Sequence, residues 1–454
     1  MKPKSLIIPL LFLIVQLSNV QLLAQGQSFT LQQAIDYALK NNVSIQNAEL
    51  DAEIAEAKKK ETTGMGLPQL NGNFDAKEFW EIPTSVLPNF IAPLTGAPKG
   101  SYPEFVTAKF GVRYNLSAGL SASQLLFNSD YLIGLQAAKV YTDLAKKDIV
   151  RNRIDVIASV SKAYYRVMVN QQNIKLLDVN IERLKQLKDQ TKAMYEAGFV
   201  EATDLDRIDL LHNNLITEKE KINRLVMLSD ALLKFQMGFE ISKPIAIADS
   251  LDIKNLPATG IIDVSKTNIS TRIEYQTIEN AIKLQELDLK RNKFSMLPTV
   301  ALYSALSANN LRNEFKEINW SNRWFPTGVI GITVNQPIFS GFQKKFKTDQ
   351  VALNLQKTKN NLKQFEHAGN LEVQNTATMY NNNIQNLQIQ QNNIELAEKI
   401  YKSSKAKYDQ GSISGLDLFV SLTSLKEAQN NLYSAIYDVL NSKIDYDKAI
   451  GNIK

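Results

Sequence analysis

Between residues 107 and 123 the chain alternates with a period of two. Even positions carry Ala108, Phe110, Val112, Tyr114, Leu116, Ala118, Leu120 and Ala122, while odd positions from Thr107 to Ser123 are polar or glycine. A second stretch repeats the pattern, with Ile330, Ile332 and Val334 against Gly331, Thr333 and Asn335. Weaker candidates follow two Leu-Pro pairs: Leu70, Gly72, Phe74 and Ala76 after Leu67-Pro68, and a mixed run over 299 to 308 after Leu297-Pro298. Half-buried antiparallel strands of soluble sheets alternate in the same way. The run over 107 to 123 is long beside the usual strand of about 5–6 residues, and it fits a transmembrane strand of about 9–11 residues with extensions. The membrane reading is therefore carried forward.

The other pattern is the heptad. Residues 129 to 196 contain no proline and only Gly134, and Val160, Ala163, Val167, Ile174, Leu177, Ile181 and Leu184 follow a heptad-like spacing. Over 342 to 410 the matching stretch places Tyr380, Leu387, Ile394, Tyr401 and Tyr408 seven apart. Helices of this length run on the order of 100 Å. That exceeds what a globular core covers, so the seams must face other helices in a coiled coil. Gly198 and Gly411 stand where a helix C-cap needs a left-handed residue, and Thr203 or Ser414 with the following acids can open returning helices over 202 to 237 and 415 to 448. The Asn/Gln tract over 381 to 393 keeps the heptad, which makes a solvated helix face the expectation rather than low-complexity disorder.

These elements occur twice. Tyr195, Gly198, Asp204 and Leu205 recur as Tyr408, Gly411, Asp417 and Leu418, each 213 residues further on (411 − 198 and 417 − 204), and Gln124-Leu-Leu-Phe127-Asn128 recurs as Gln336-Pro-Ile-Phe339-Ser340. A duplication of this size marks a repeated architectural unit, so function belongs to a pseudo-symmetric assembly rather than to one pocket. Loops join the paired strands and hold all three tryptophans: Trp80 in the first, Trp320 and Trp324 in the second. Aromatics at strand ends suit a membrane-interface girdle, and an aromatic cluster packed under a loop is the alternative. The first loop is longer and carries Pro83, Pro88, Pro93, Pro98 and Pro103.

Composition narrows the compartment and the chemistry. Residues 1 to 24 read as a secretory signal peptide, basic at Lys2 and Lys4, apolar from Leu6 to Leu17, with cleavage placed after Ala24. Without cysteine the chain has no disulfide and no lipid anchor on an N-terminal Cys. The surplus of +6 is interspersed, so no basic face for nucleic acid is expected. His212 and His367 are the only histidines, no nucleophile elbow occurs, and Gly64-Met-Gly66 is too short for a nucleotide loop. No enzyme, metal or cofactor is expected. The organisation predicted is a first repeat over 25 to 238, an inter-repeat linker over 239 to 268, and a second repeat with a C-terminal helix over 269 to 454.

Four strands cannot close a barrel, and an open edge in a membrane leaves backbone groups unpaired at several kcal/mol each. The chain must oligomerise: two subunits give eight strands with a filled interior, and three give twelve with room for a channel. Taken in order, these doubled motifs resemble the outer membrane efflux protein family (TolC-like outer membrane factors), over nearly all of the chain after residue 30. The resemblance implies a mixed α and β membrane protein in the cell outer membrane: a homotrimer whose twelve-stranded β-barrel, four strands per chain, continues into a coiled-coil helical tunnel through the periplasm. It implies a passive exit duct among outer-membrane lipid, working with a periplasmic adaptor (membrane fusion) protein and an inner-membrane pump of the resistance-nodulation-division (RND) or ABC type. It places adaptor-docking tips at Gly198, Phe199, Val200, Gly411, Ile413 and Leu416, and a periplasmic gate at Asp204, Tyr408, Asp417 and Val420. Asp204 and Tyr408 fall where the family links helices. Ile413 stands in place of a companion arginine, and Val420 in place of a second ring aspartate, so a weaker latch is implied. Capping and dipole compensation are the plain alternatives for Asp204 and Asp417. Two other readings stay open: the outer-membrane channel of type I protein secretion, and a non-channel periplasmic coiled-coil structural protein.

Overall fold

The computed structural model describes residues 27–96, 98–251, 268–317 and 324–453. The signal peptide, Trp320 and most of the linker (252 to 267) lie outside the described residues. In chain order the elements are β1 (Gln27–Phe29), α1 (Leu31–Asn41), α2 (Val43–Gly64), β2 (Gln69–Glu78), β3 (Thr84–Pro88), β4 (Phe105–Lys109), β5 (Tyr114–Phe127), α3 (Ser129–Glu196), α4 (Ala202–Met237), β6 (Ile245–Ile247), α5 (Ile273–Phe294), β7 (Thr299–Arg312), β8 (Phe325–Asn335), α6 (Gln343–Asp409) and α7 (Gly415–Ala449). They group into two compact units: the described parts of Met1–Ile54, Asp143–Ile282 and Lys357–Lys454, and of Ala55–Thr142 and Lys283–Gln356.

The first unit is helical, and the heptad positions build its core. Val160, Ala163, Val167, Leu177 and Leu184 of α3 are buried, as are Tyr380, Leu387 and Tyr408 of α6. One cluster joins Val160, Ala163, Val167, Tyr380 and Leu387 to Leu233 and Met237 of α4 and to Leu432, Ile436 and Val439 of α7. A second gathers Leu177, Leu184, Leu187, Ile208, Leu215, Leu418 and Leu422 around Tyr408. Polar pairs set the register between helices: Asn180 Nδ2 donates to Gln429 Oε1 at 2.9 Å inside the core, and Lys162 and Lys448 pair with Asp445 and Asp155 at 2.5 and 2.6 Å. The half-exposed ion pairs add little stability, so alignment is their main contribution.

Short elements tie the N-terminus down. β1 pairs parallel with β6, an association that no run of three residues announces in sequence. The buried Tyr164 hydroxyl lies 2.8 Å from Asp249 Oδ2 and 3.0 Å from the Phe29 carbonyl; burial, then the bond to Asp249, push its pKa up. Arg272, 5% exposed, donates to Glu372 at 2.7 Å and to Glu274 at 3.3 Å and lies 5.4 Å from the Phe365 ring centre. Burial alone would lower its pKa, and the bonds to Glu372 and Glu274 carry it above the ordinary value instead.

Gly238 ends α4 at φ 68° and an added Cβ there would sit 2.4 Å from the Asn41 carbonyl oxygen. Both the left-handed backbone and the close approach of a neighbouring chain segment require glycine. Gly238→Ala is expected to destabilise the fold by about 2 kcal/mol or more, read as a lowered thermal midpoint.

The second unit holds a four-stranded antiparallel sheet in the order β2-β5-β7-β8. The expectation of one strand over 107 to 123 is corrected here. β4 ends at Lys109, Gly111 takes φ 133°, and β5 begins at Tyr114. β4 pairs with β3 in a separate hairpin inside the proline-rich loop. Apolar spacing runs on through the break because the period survives the turn; only the backbone at Gly111 reveals it.

Candidate functional site: a two-faced sheet and paired helical tips

The registers align side chains in rows across the sheet. Gly72 faces Leu120, Leu120 faces Leu306, and Leu306 faces Gly328. The next row on that face is Phe74, Ala118, Ala308 and Pro326, and the rows on the other side of Leu306 bring in Ala122, Ser304, Ile330, Leu302 and Ile332. Pleating puts the intervening residues on the opposite face. There stand Asn71, Asn73, Asp75, Ser117, Gly119, Ser121, Ser307, Thr327 and Thr333. One face is apolar and outwardly exposed, Ile330 being 73% accessible. The other is mainly polar or small, interrupted by Tyr303, Phe325 and Val329. On it the Tyr303 side chain lies against Gly331, where an added Cβ would come within 2.8 Å of two ring carbons and the hydroxyl oxygen. Among the described residues β2 and β8 each pair on one side only, so both outer edges of this sheet are open. The interface aromatics divide: Trp80 is 93% exposed just past β2, and Trp324 is half-buried just before β8.

At the other candidate site the helical tips come together within the first unit. Both turns are Schellman motifs. Gly198 (φ 76°) donates to the Tyr195 carbonyl and Phe199 to that of Met194, each at 2.9 Å; Gly411 (φ 69°) donates to Tyr408 and Ser412 to Lys407, again at 2.9 Å. The predicted helix bounds at these turns hold to within a residue because glycine punctuates them so sharply. The helix starts differ. Ser414 caps α7, its hydroxyl donating to Asp417 Oδ2 at 2.8 Å and accepting from the Asp417 amide. Thr203 does not cap α4: Glu201 holds that position without a side-chain bond, and the Thr203 hydroxyl donates to Glu201 Oε2.

A cleft of about 550 Å³ lies between the tips, lined in part by Asp204, Arg207, Tyr408, Ile413 and Gly415. The direct Asp204–Tyr408 link read from the family pattern is not made within the chain. Tyr408 is buried with its hydroxyl 2.9 Å from Thr191 Oγ1, which is 0% exposed. Asp204 instead lies 3.8 Å from Arg207 and against Gly415, where an added Cβ would be 3.0 Å from its carboxylate. Gln190 Nε2 donates to Asp409 Oδ1 at 3.0 Å, a second bond between the ends of α3 and α6. The signal for Thr191 was present: it is a polar residue on the Leu184, Leu187 seam, opposite a tyrosine in the Tyr401, Tyr408 series. At the surface of the tips Phe199 is 78% exposed, and Leu416 and Val420 are also exposed, whereas Ile413 packs on the Tyr408 cluster and Val200 is half-buried. Among the described residues no cluster of acidic and histidine side chains could hold a metal ion, and no helix is long and apolar enough to cross a membrane.

A sheet with an apolar and a polar face, joined in sequence to duplicated coiled-coil hairpins, defines the class of outer membrane channels. Residues 34–209 and 285–452 match the model of the outer membrane efflux protein family, and the chain belongs to that family. The outer membrane protein TolC of Vibrio cholerae is 23% identical over 347 residues, 74% of this chain and 77% of that one. The probable efflux pump outer membrane protein TtgC of Pseudomonas putida is 22% identical over 349 residues, covering 75% and 69%. The fold is that of solved CusC, with a TM-score of 0.75 at 15% identity over 94% of this chain and 95% of that one. The relatives are channel proteins of the outer membrane, not enzymes.

Proposed function

We propose that the chain is one subunit of a homotrimeric exit duct. Three copies contribute twelve strands to a barrel in the outer membrane, with the polar face turned to the lumen and the helices forming a periplasmic tunnel. The observation that carries this reading is the two-faced sheet with both edges open. In lipid each unpaired backbone group costs several kcal/mol, so the edge of β8 must meet the β2 edge of another copy. Helical seams without a partner among the described residues support it. Leu225, Leu228, Leu232 and Phe235 on α4, and Ile389, Leu396 and Ile400 on α6, are exposed at heptad spacing, as expected of surfaces awaiting neighbouring helices.

The duct carries out no chemistry. It binds a periplasmic adaptor at the tips around Gly198, Phe199, Val200, Gly411, Ile413 and Leu416, and an RND or ABC pump supplies the energy. The gate residues are Tyr408 with Thr191, Asp204 with Arg207, and Asp417 with Val420. Asp417 both completes the capping box of α7 with Ser414 and, in three copies, places carboxylates about the entrance, which favours cations. Outer-membrane fractionation, heat-modifiable migration and planar-bilayer conductance test the reading together. The duct is expected to run as a compact oligomer unheated and to conduct. A chain that stays in the soluble periplasmic fraction and gives no conductance is a coiled-coil structural protein instead.

A further inference from the structure

Where β8 gives way to α6, and α5 ends beside it, the second unit presents an apolar and basic collar. Ile338 is 90% exposed, and Phe339, Phe342 and Phe346 are exposed with it. Phe339 and Phe342 meet edge to face with ring centres 5.6 Å apart. Phe342 is the one described non-glycine residue with positive φ, at 61°. A bulky side chain in that region is costly, and here the cost holds an aromatic ring at the surface. Phe339 and Phe342 border a cavity of about 400 Å³ also lined by Lys293, Met296, Lys344, Lys345 and, on the acidic side, Asp349.

The charges need explanation. Lys344, Lys345 and Lys347 stand in the opening turns of α6, whose first turn has no acid. Cations there oppose the helix macrodipole, so helix stability does not account for them. Among the described residues none of these three, nor Lys293, forms an ion pair; Lys344 donates to the Ser295 carbonyl, and Lys345 lies 5.9 Å from the Phe346 ring centre. The equivalent junction of the first repeat has exposed Leu126, Phe127 and Leu132 but Asp130 in the first turn of α3 and no lysine before Lys139. Apolar exposure is common to both junctions; the run of lysines in the opening turns of the long helix belongs to one.

We propose that this collar binds the anionic headgroups of phospholipids in the periplasmic leaflet of the outer membrane, with Ile338, Phe339 and Phe342 among the acyl chains and Lys293, Lys345 and Lys347 at the phosphates. It rests on the channel reading above, which turns the apolar face of β8 to lipid. That face runs through Ile330, Ile332 and Val334 directly into the collar, so the lipid-facing surface is continuous with it. Basic residues just outside the hydrocarbon select acidic lipid because the surface potential there attracts them. A neutral headgroup explains the rings but not the lysines.

The test uses the full chain reconstituted in mixed phosphatidylethanolamine and phosphatidylglycerol bilayers, then extracted in mild detergent, with retained lipid measured by mass spectrometry. Phosphatidylglycerol is expected to be enriched several-fold over the bilayer composition. The triple variant Lys293→Gln, Lys345→Gln, Lys347→Gln is expected to lose that enrichment, its retained lipid returning to about the bilayer composition, while keeping its heat-modifiable oligomer and conductance. A photo-crosslinking residue at position 339 is expected to label phospholipid. No enrichment, enrichment that survives the triple variant, or crosslinking of position 339 to a second copy of the chain each overturns the proposal and leaves the channel reading intact. Failure of the unsubstituted chain to form an oligomer or conduct removes the channel reading and this inference with it.

Discussion

Leu306→Arg is expected to block assembly of the protein in the outer membrane, whereas Ser307→Arg, one residue away, is expected to leave assembly nearly unchanged. The two side chains stand at the middle of β7 on opposite faces of the sheet, in rows fixed by their pairings with Gly328 and Thr327. An arginine on the lipid face near the bilayer midplane costs about 2–4 kcal/mol per chain, and a trimer would meet that cost three times. An arginine on the polar face enters water and alters ion selectivity instead. Folding into bilayers, followed by heat-modifiable migration, reads the first effect, and reversal potentials in a salt gradient read the second. Equal tolerance of both arginines would mean that neither face meets lipid, and the soluble coiled-coil reading would take over. Gly331→Val belongs to the same test. Its side chain would displace the Tyr303 ring on the polar face, so it is expected to lower stability without the insertion defect.

The second large effect is expected at the tips. Tyr408→Phe leaves the Thr191 hydroxyl at a fully buried position without its partner, which costs about 1–3 kcal/mol. The variant is expected to raise closed-state conductance in planar bilayers and to lower the thermal midpoint. The double variant Thr191→Val, Tyr408→Phe removes both polar groups and should recover much of the stability, since two apolar groups of similar shape can pack in their place. Conductance should stay high, because the link between α3 and α6 is still missing. Asp204→Ala is expected to act less, as its 3.8 Å contact with Arg207 is longer and within one helix. Closed-state conductance unaltered in both Tyr408→Phe and the double variant would exclude this pair as a latch.

Much of the candidate site was legible because its determinants are local. Gly198 and Gly411 need only the left-handed backbone of a Schellman turn, and that requirement is written in one residue each. Alternation marked β2, β5 and β8 because a strand with one apolar and one polar face must alternate, whereas β7 read only as a mixed run. What escaped was non-local. Asp204 and Tyr408, paired through the family pattern, line one cleft between the tips, yet which hydroxyl or carboxylate each side chain reaches depends on how the packed helices are rotated against one another. The lysine collar escaped for a related reason. Lys293 and Lys345 are 52 residues apart in the chain (345 − 293), and nothing in their spacing brings them to one cavity.

The sequence by itself determined the duplicated plan, the bounds of the long helices and the two faces of the sheet strands, because periodicity and glycine punctuation act over a few residues. Only the tertiary structure decided that β4 leaves the sheet at Gly111, that β1 joins β6, and that Tyr408 bonds Thr191 while Asp204 lies against Gly415. These depend on backbone dihedral angles and on the rotation of packed helices, quantities that a pattern of apolar and polar residues leaves free.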